Sequence, residues 1–275
     1  MIKDKKNKLL LKKRKSKISK FLIFIENGNF TSEKINIIYN GLITNPKVSI
    51  VKNKDVCDYI FVDFIDINLI SGYKKDYSHK IIVIDYGDDP YSVLDVKCLM
   101  YFKRSVVNKR KLKLINYNRK IIPISHCLKN EVLYFKNINN KRDIDISVFF
   151  RKGKREHRTR VARFIANEFS NYKIHVGICG RHKEVGRTSI QMDYYNKMFR
   201  SKIVITCNPK NWEGDYRTWE ALSSGAMVVV DKMLTPIVNP LIDKKHVVFY
   251  DRNNLEDLKT KILFYLKNPD LIEKI

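Results

Sequence analysis

The sequence predicts an α/β protein made of two doubly wound, Rossmann-like domains that face a cleft. Three observations predict it. Phe21–Ile25 and Ala226–Asp231 are apolar runs, and Tyr59–Val62 and Ile81–Asp85 are continuous β-branched or aromatic ones, the pattern of strands in a parallel sheet covered on both faces. These runs alternate with stretches of helical spacing, such as Val161, Phe164, Ile165 and Phe169 on one face of Arg158–Ser170. The rhythm is interrupted once, near the middle of a 275-residue chain, which is long enough to bury two cores.

Taken in order, Phe21–Ile25 reads as a buried strand, followed by the Asn27-Gly28 turn and an amphipathic helix over Ser32–Leu42 with Ser32 as its cap. Strands at Tyr59–Val62, Ile81–Asp85 and Ile121–Ile124 complete the first series. Leu128–Asp143 is rich in Asn and Lys and has no clear period, so it is read as the connection. The second series starts at Ile146–Phe150 and continues through helix Arg158–Ser170, strand Tyr172–Val176, helix Ile190–Arg200, strand Lys202–Thr206, helix Tyr216–Ser224 and strand Ala226–Asp231. It ends with strand Val247–Tyr250 and helix Leu255–Leu266. The expected division is a basic, disordered tail over residues 1–20, a first domain over 21–127, a linker over 128–145 and a second domain over 146–275.

Composition excludes several classes. A hydrophobic share of 44% and an aromatic share of 11% describe a folded protein. The formal net charge of +25 would suit a polyanion. The excess is mostly Lys, however, travels with Asn, Ile and Tyr, and is concentrated in Lys3–Lys20, so A/T-rich codon usage accounts for much of it and nucleic-acid binding is not expected. The five cysteines are scattered singly, without a pair at zinc-ligand spacing. They read as reduced structural thiols, and with no visible secretion signal or membrane span they favour a cytoplasmic compartment, or a host cytoplasm or virion if the source is viral. Gly177, Gly180 and Gly186 are too loosely spaced for a dinucleotide fingerprint, and no phosphate-binding G-x-x-x-x-G-K-[ST] loop occurs.

Ligands of open α/β sheets bind outside the carboxyl ends of the strands. The richest stretch in such a place is Asn208–Asp231, which reads as strand end, loop, helix and strand. Gly214 lets a ligand approach the backbone, Asp215 can cap the helix, and the helix start offers N–H groups to an anion such as a diphosphate. Arg217, Glu220 and Ser224 are spaced to share one helix face. That face carries a cation for phosphate and a carboxylate able to accept from vicinal hydroxyls such as those of ribose. Trp212 in the loop is a candidate to stack on a base or sugar, and Trp219 is expected in the core. Gly225 ends the helix as a left-handed glycine.

The run Arg217-Thr218-Trp219-Glu220-Ala221-Leu222-Ser223-Ser224-Gly225 resembles the R-x-x-E-A-L-x-x-G signature of GT-B-fold glycosyltransferases. The similarity is greatest to the spore-maturation CgeB-like and family-1-like groups, and more distant to exostosin-like ones. It covers Ile146–Ile275 well and the first half only in general layout. The resemblance implies a nucleoside diphosphate sugar as donor and a hydroxyl-bearing glycan or glycoconjugate as acceptor, bound mainly by the first domain. It implies Glu220 on the donor ribose and Arg217 near the phosphates, with Trp212, Glu213, Gly214, Asp215 and Ser224 completing the donor set. Retaining members carry two glutamates spaced one residue further apart than Glu213 and Glu220, so that role does not transfer to Glu213. Similar proteins also continue past the point corresponding to Ile275, which implies a longer polypeptide.

The basic cluster Arg151, Lys152, Lys154, Arg155 and Arg158 follows the first strand of the second domain. In similar proteins that loop faces the diphosphate. Arg151 is therefore a donor contact, and Arg155 and Arg158 are expected to stabilise charge on the departing nucleotide without a metal, although a solvated basic loop is the plain alternative. In the first domain, Asp85-Tyr86-Gly87-Asp88-Asp89-Pro90 places carboxylates at the cleft mouth. Asp88 is the candidate general base, although the same residues are ordinary turn formers. Tyr101-Phe102-Lys103-Arg104 is read as a cleft contact. Asp143-Ile144-Asp145 has the D-x-D pattern of metal-dependent transferases of another fold but precedes a strand, so it is read as a linker feature; no metal or other cofactor is expected. The alternative to an enzyme is a catalytically inert GT-B-like binding module within a larger glycan-assembly protein.

Overall fold

The computed structural model describes residues 20–26, 33–64, 69, 72–87, 96–105, 121–125, 128, 141–151, 156–179, 192–208, 216–233 and 239–275. Its first six strands are β1 (Phe21–Ile25), β2 (Val48–Ile50), β3 (Tyr59–Asp63), β4 (Ile81–Asp85), β5 (Met100–Lys103) and β6 (Ile121–Pro123), with helix α1 (Glu33–Thr44) between β1 and β2. They form one parallel sheet in the order β2-β1-β3-β4-β5-β6. All five residues of β4 are buried, because alternate side chains enter two cores: Ile81 and Val83 join Ile60, Val62, Tyr77 and Tyr101 on one face, and Ile82 and Ile84 join Tyr86 on the other.

The second sheet is built from β7 (Ile144–Arg151), β8 (Ile174–Cys179), β9 (Ser201–Thr206), β10 (Met227–Asp231) and β11 (Val248–Tyr250). Its order is β11-β10-β9-β7-β8, again parallel throughout. Helices α2 (Glu156–Glu168), α3 (Met192–Phe199), α4 (Tyr216–Ser223), α5 (Leu255–Lys267) and α6 (Pro269–Ile272) are interleaved with these strands. One face buries Ile146, Val148, Ile203, Ile205 and Val229 against Val161, Ile165 and Phe169 of the α2 segment and Leu258 and Ile262 of α5. The other buries Val204, Val228 and Val230 against Met198 of α3 and Ala221 of α4. Burying one such aliphatic side chain contributes about 1.5–3 kcal/mol. The two parallel sheets with interleaved helices are the two-domain Rossmann-like α/β architecture of the GT-B fold, as the sequence predicts.

The helix ends follow local chemistry. Asn254 caps α5, its Oδ1 accepting from the N–H groups of Glu256 and Asp257 at 3.1 and 3.2 Å. Pro269 opens α6, where a missing N–H costs nothing. Gly225 lies at φ 70° immediately beyond α4, the left-handed stop expected of it.

The structure differs from the expectations in three places. β2 and β5 exist although each is short and half-polar; Val48-Ser49-Ile50 and Met100–Lys103 are pulled into the sheet by backbone pairing with β1 and β4. The segment Tyr101-Phe102-Lys103, read as a cleft contact, is thus part of strand β5, and Phe102 lines a cavity that Trp219 also lines. β7 starts at Ile144, so the D-x-D residues are not in a linker. They bind the sheet's amino-terminal edge, with Asp143 accepting from Arg200 and Lys173 and Asp145 from Lys202 and the Lys173 N–H. The tail over residues 1–19, the Asn27-Gly28 turn, Ser32 and most of the expected linker lie outside the described residues.

Candidate functional site

The strand order places β8 on one side of β7 and β9 on the other. Successive connections therefore leave in opposite directions from the carboxyl ends of β7 and β9, the place where doubly wound sheets bind ligands. Helix α2 follows β7 and helix α4 follows β9, so both helices begin at this edge and present their unpaired N–H groups there.

The edge is held by a buried polar lattice. Asn208, just past β9, donates its backbone N–H to Asp231 Oδ1 at 2.6 Å and its Nδ2 to the Asp231 carbonyl at 2.6 Å, locking the ends of β9 and β10 together. Arg252 donates through Nη1 to the Asn208 carbonyl and to Asp231 Oδ2, both at 2.7 Å. Burial pushes the Asp231 carboxyl up, opposed by the Asn208 N–H and then by Arg252. One turn into α2, Arg158 is buried, donating to the Cys207 carbonyl through Nη2 at 2.8 Å and Nε at 3.3 Å. Tyr250 OH joins Cys207 Sγ at 3.1 Å and His157 Nε2 at 3.2 Å. Burial pushes both the Cys207 thiol and the Tyr250 phenol up, so neither ionises near neutral pH. Arg160 donates through Nη2 to the Arg252 carbonyl at 3.1 Å, so three arginines, Arg158, Arg160 and Arg252, stand with one buried carboxylate, Asp231, in this lattice, leaving the edge cationic.

Helix α4 is tied to the same edge by Thr206 Oγ1 and Thr218 Oγ1, 3.0 Å apart and buried. Arg217 lies half-buried in its first turn. Glu220 is buried on the α3 side, accepting from Tyr194 OH at 2.6 Å and Tyr195 OH at 3.1 Å. A carboxylate has roughly four acceptor positions, so two hydroxyl donors do not saturate it. Ser224 lies beyond the far end of α4, donating to the Ala221 carbonyl at 2.7 Å. There the Ser224 carbonyl accepts from Arg142, which also donates to the carbonyl of Ser201, the first residue of β9. That end is the amino-terminal edge of the sheet, a full helix away from Arg217, so Ser224 is not brought together with the other candidates.

Trp219 is half-buried and lines a cavity shared with the first domain, not the core of the second; the helix turns its indole away from Ala221 and Thr218, which face the sheet. In the first domain, the carboxyl ends of β4 and β5 carry Asp85 and Lys103, both buried, with Lys103 Nζ 2.9 Å from Asp85 Oδ2. Tyr101 OH donates to the same oxygen at 2.7 Å, and the Gly87 N–H donates to Asp85 Oδ1 at 2.7 Å. Asp85 and Lys103 are therefore internal supports of the segment leading to Asp88. Asp88, Arg155, Trp212, Glu213, Gly214 and Asp215 lie outside the described residues, and Arg151 is described only as the backbone end of β7.

Sequence reasoning missed Asn208, Asp231, Arg252, Cys207, Tyr250, His157, Tyr194 and Tyr195. Asn208 and Asp231 bracket the stretch that was singled out, and their position directly at strand ends was the available signal. The two tyrosines had none, since their partner Glu220 lies on another helix.

Residues 154–275 match the family described as glycosyl transferase-like. The match starts two residues before α2 and takes in every element of this edge except β7. No curated protein matches the chain. Among the described residues no helix is long and apolar enough to cross a membrane, and no group of three or more His, Cys, Asp or Glu side chains is placed to hold a metal ion.

Proposed function

We propose that the protein transfers a sugar from a nucleoside diphosphate sugar to a hydroxyl acceptor. The observation that carries this reading is the glycosyl transferase-like match over residues 154–275, which falls on the domain whose carboxyl edge collects arginines and two helix starts. In this reading the diphosphate lies across the starts of α2 and α4, with Arg151, Arg217 and the backbone at Gly214 and Asp215 as its ligands. Glu220 accepts from the ribose hydroxyls with its remaining acceptor positions, and Trp212 stacks on the base or sugar beside Glu213.

The acceptor oxygen attacks the anomeric carbon, the bond from that carbon to the diphosphate oxygen breaks, and Asp88 takes the acceptor proton. The negative charge that develops on the departing diphosphate is met by Arg155 and, from behind the Cys207 carbonyl, by Arg158. On this reading no metal is required. Free thiols at Cys57, Cys98 and Cys207 support a reducing, cytoplasmic setting.

The test is a thermal-shift panel of nucleotide sugars and nucleoside diphosphates, followed by a transfer assay with the donor that binds. The expected result is a rise in melting temperature selective for one donor and lost in Arg217→Ala. Absence of a shift with every donor overturns the reading, and selective binding without transfer reduces the protein to a binding module.

A further inference from the structure

A cavity of about 580 Å³ lies between the Ile82 and Ile84 face of the first sheet and helix α4, within the roughly 300–1,000 Å³ range of small-molecule sites. Its walls are apolar. Ile84 of β4, Phe102 of β5 and Ile124 beyond β6 contribute from the first domain, and Trp219 closes it from the second. Polar groups enter at Ser125 and Asn239. The Trp219 indole Nε1 is buried and has no acceptor among the described residues. The ring itself, not the sealed N–H, is what Trp219 presents to the cavity.

We propose that this cavity binds the acceptor, and that the acceptor is an alcohol or glycoside with an apolar body, a hydrocarbon chain or an aromatic ring, rather than a wholly polar sugar chain. The inference rests on the transferase reading and names the acceptor class for it. A polysaccharide segment would place hydroxyls against Ile84, Phe102 and Ile124, whose side chains carry no polar atom. An apolar body removes those walls and the Trp219 ring from water. Trp219 stands between Arg217 and Glu220 in sequence on α4. An acceptor held there is anchored to the helix that carries the proposed donor contacts.

The test compares n-octyl β-D-glucoside, kept below its micelle concentration, with methyl β-D-glucoside, titrated into the full chain by calorimetry without any donor. The expected result is at least tenfold tighter binding of the octyl compound. Ile124→Asp, at a partly exposed wall, and Trp219→Ala, which removes the ring that closes the cavity, are each expected to weaken it at least tenfold. Each variant's melting curve establishes that it is folded. Equal binding of the two glucosides, binding of neither, or octyl binding unaffected by Ile124→Asp overturns the proposal. Nucleotide-sugar binding measured on the same samples separates the two readings. A donor that binds while the octyl compound does not sinks only the apolar acceptor. Octyl binding without any donor binding sinks the transferase and leaves an apolar-ligand site.

Discussion

Lys103 Nζ lies 2.9 Å from Asp85 Oδ2 at the ends of two neighbouring strands, with the two side chains 1% and 3% exposed. Water cannot compensate either charge, so each depends on the other. Lys103→Met should destabilise the protein by about 2–4 kcal/mol, somewhat below the usual cost of orphaning a buried charge because Tyr101 and the Gly87 N–H still donate to Asp85. Lys103→Met combined with Asp85→Asn should recover more than half of that loss. Urea denaturation of the four proteins measures it, and additive losses in the double variant would contradict the coupling.

Glu220 presents a test that separates support from ligand binding. Tyr194→Phe and Tyr195→Phe each remove one donor to the carboxylate and should cost about 1 kcal/mol of stability, with nucleotide affinity changed less than about threefold. Glu220→Gln keeps the shape and loses the charge. If Glu220 meets the ribose, affinity for the donor falls roughly tenfold to a hundredfold, the worth of a charge-assisted bond. Calorimetry against the donor, read beside melting curves, decides. A Glu220→Gln protein that binds donor normally would reduce Glu220 to a clamp between α3 and α4.

The parts of the fold legible in the sequence were those whose signal is local. Strand β10, Met227–Asp231, is buried at every position, and its unbroken valine run announces it. Gly225 likewise states its own backbone conformation. Strand β5 was not legible because Met100 is exposed and Lys103 is buried, the reverse of what their side chains suggest; pairing with β4 and the carboxylate of Asp85 decide it. The candidate site divides in the same way. Arg217 and Glu220 were found from spacing along one helix. Arg252 and Tyr250 come to the edge from beyond β10, through contacts with Asp231 and Cys207 that no spacing rule encodes. Ser224 was misplaced because a shared helix face does not specify depth: the face runs from one edge of the sheet to the other.

Gly225 and Arg142 make a second junction open to test. A Cβ at Gly225 would lie 3.0 Å from Arg142 Nη2, the nitrogen that donates to the Ser224 carbonyl at 2.8 Å. Gly225→Ala therefore meets both the left-handed backbone penalty and a displaced guanidinium. A loss of about 2–3 kcal/mol is expected. In an Arg142→Met background the same change should cost only about 1–2 kcal/mol, the backbone part alone. Equal costs in the two backgrounds, measured by chemical denaturation, would show that Arg142 is not strained by the new methyl.

His157 gives the stability a pH dependence whose sign follows from its surroundings. Its imidazole is pushed down to about 4 from 6.5, first by burial and then by Arg252, Arg160 and Arg158. The folded protein therefore holds this ring neutral in a range where the unfolded chain protonates it. The unfolded state binds more protons between those two values, so stability is complete above about pH 6.5 and is lost as the pH falls towards 4. The full shift corresponds to roughly 3 kcal/mol, and partial access of solvent to the ring reduces the expected loss to about 1–2 kcal/mol. His157→Gln, which keeps a polar partner near Tyr250 OH and does not titrate, should lose correspondingly less stability between pH 7 and pH 4. Carboxylates such as Asp143, held low by Arg200 and Lys173, titrate in both proteins and cancel in the difference. Denaturation curves of the pair across that range that stay parallel would show that the ring is already charged in the folded state.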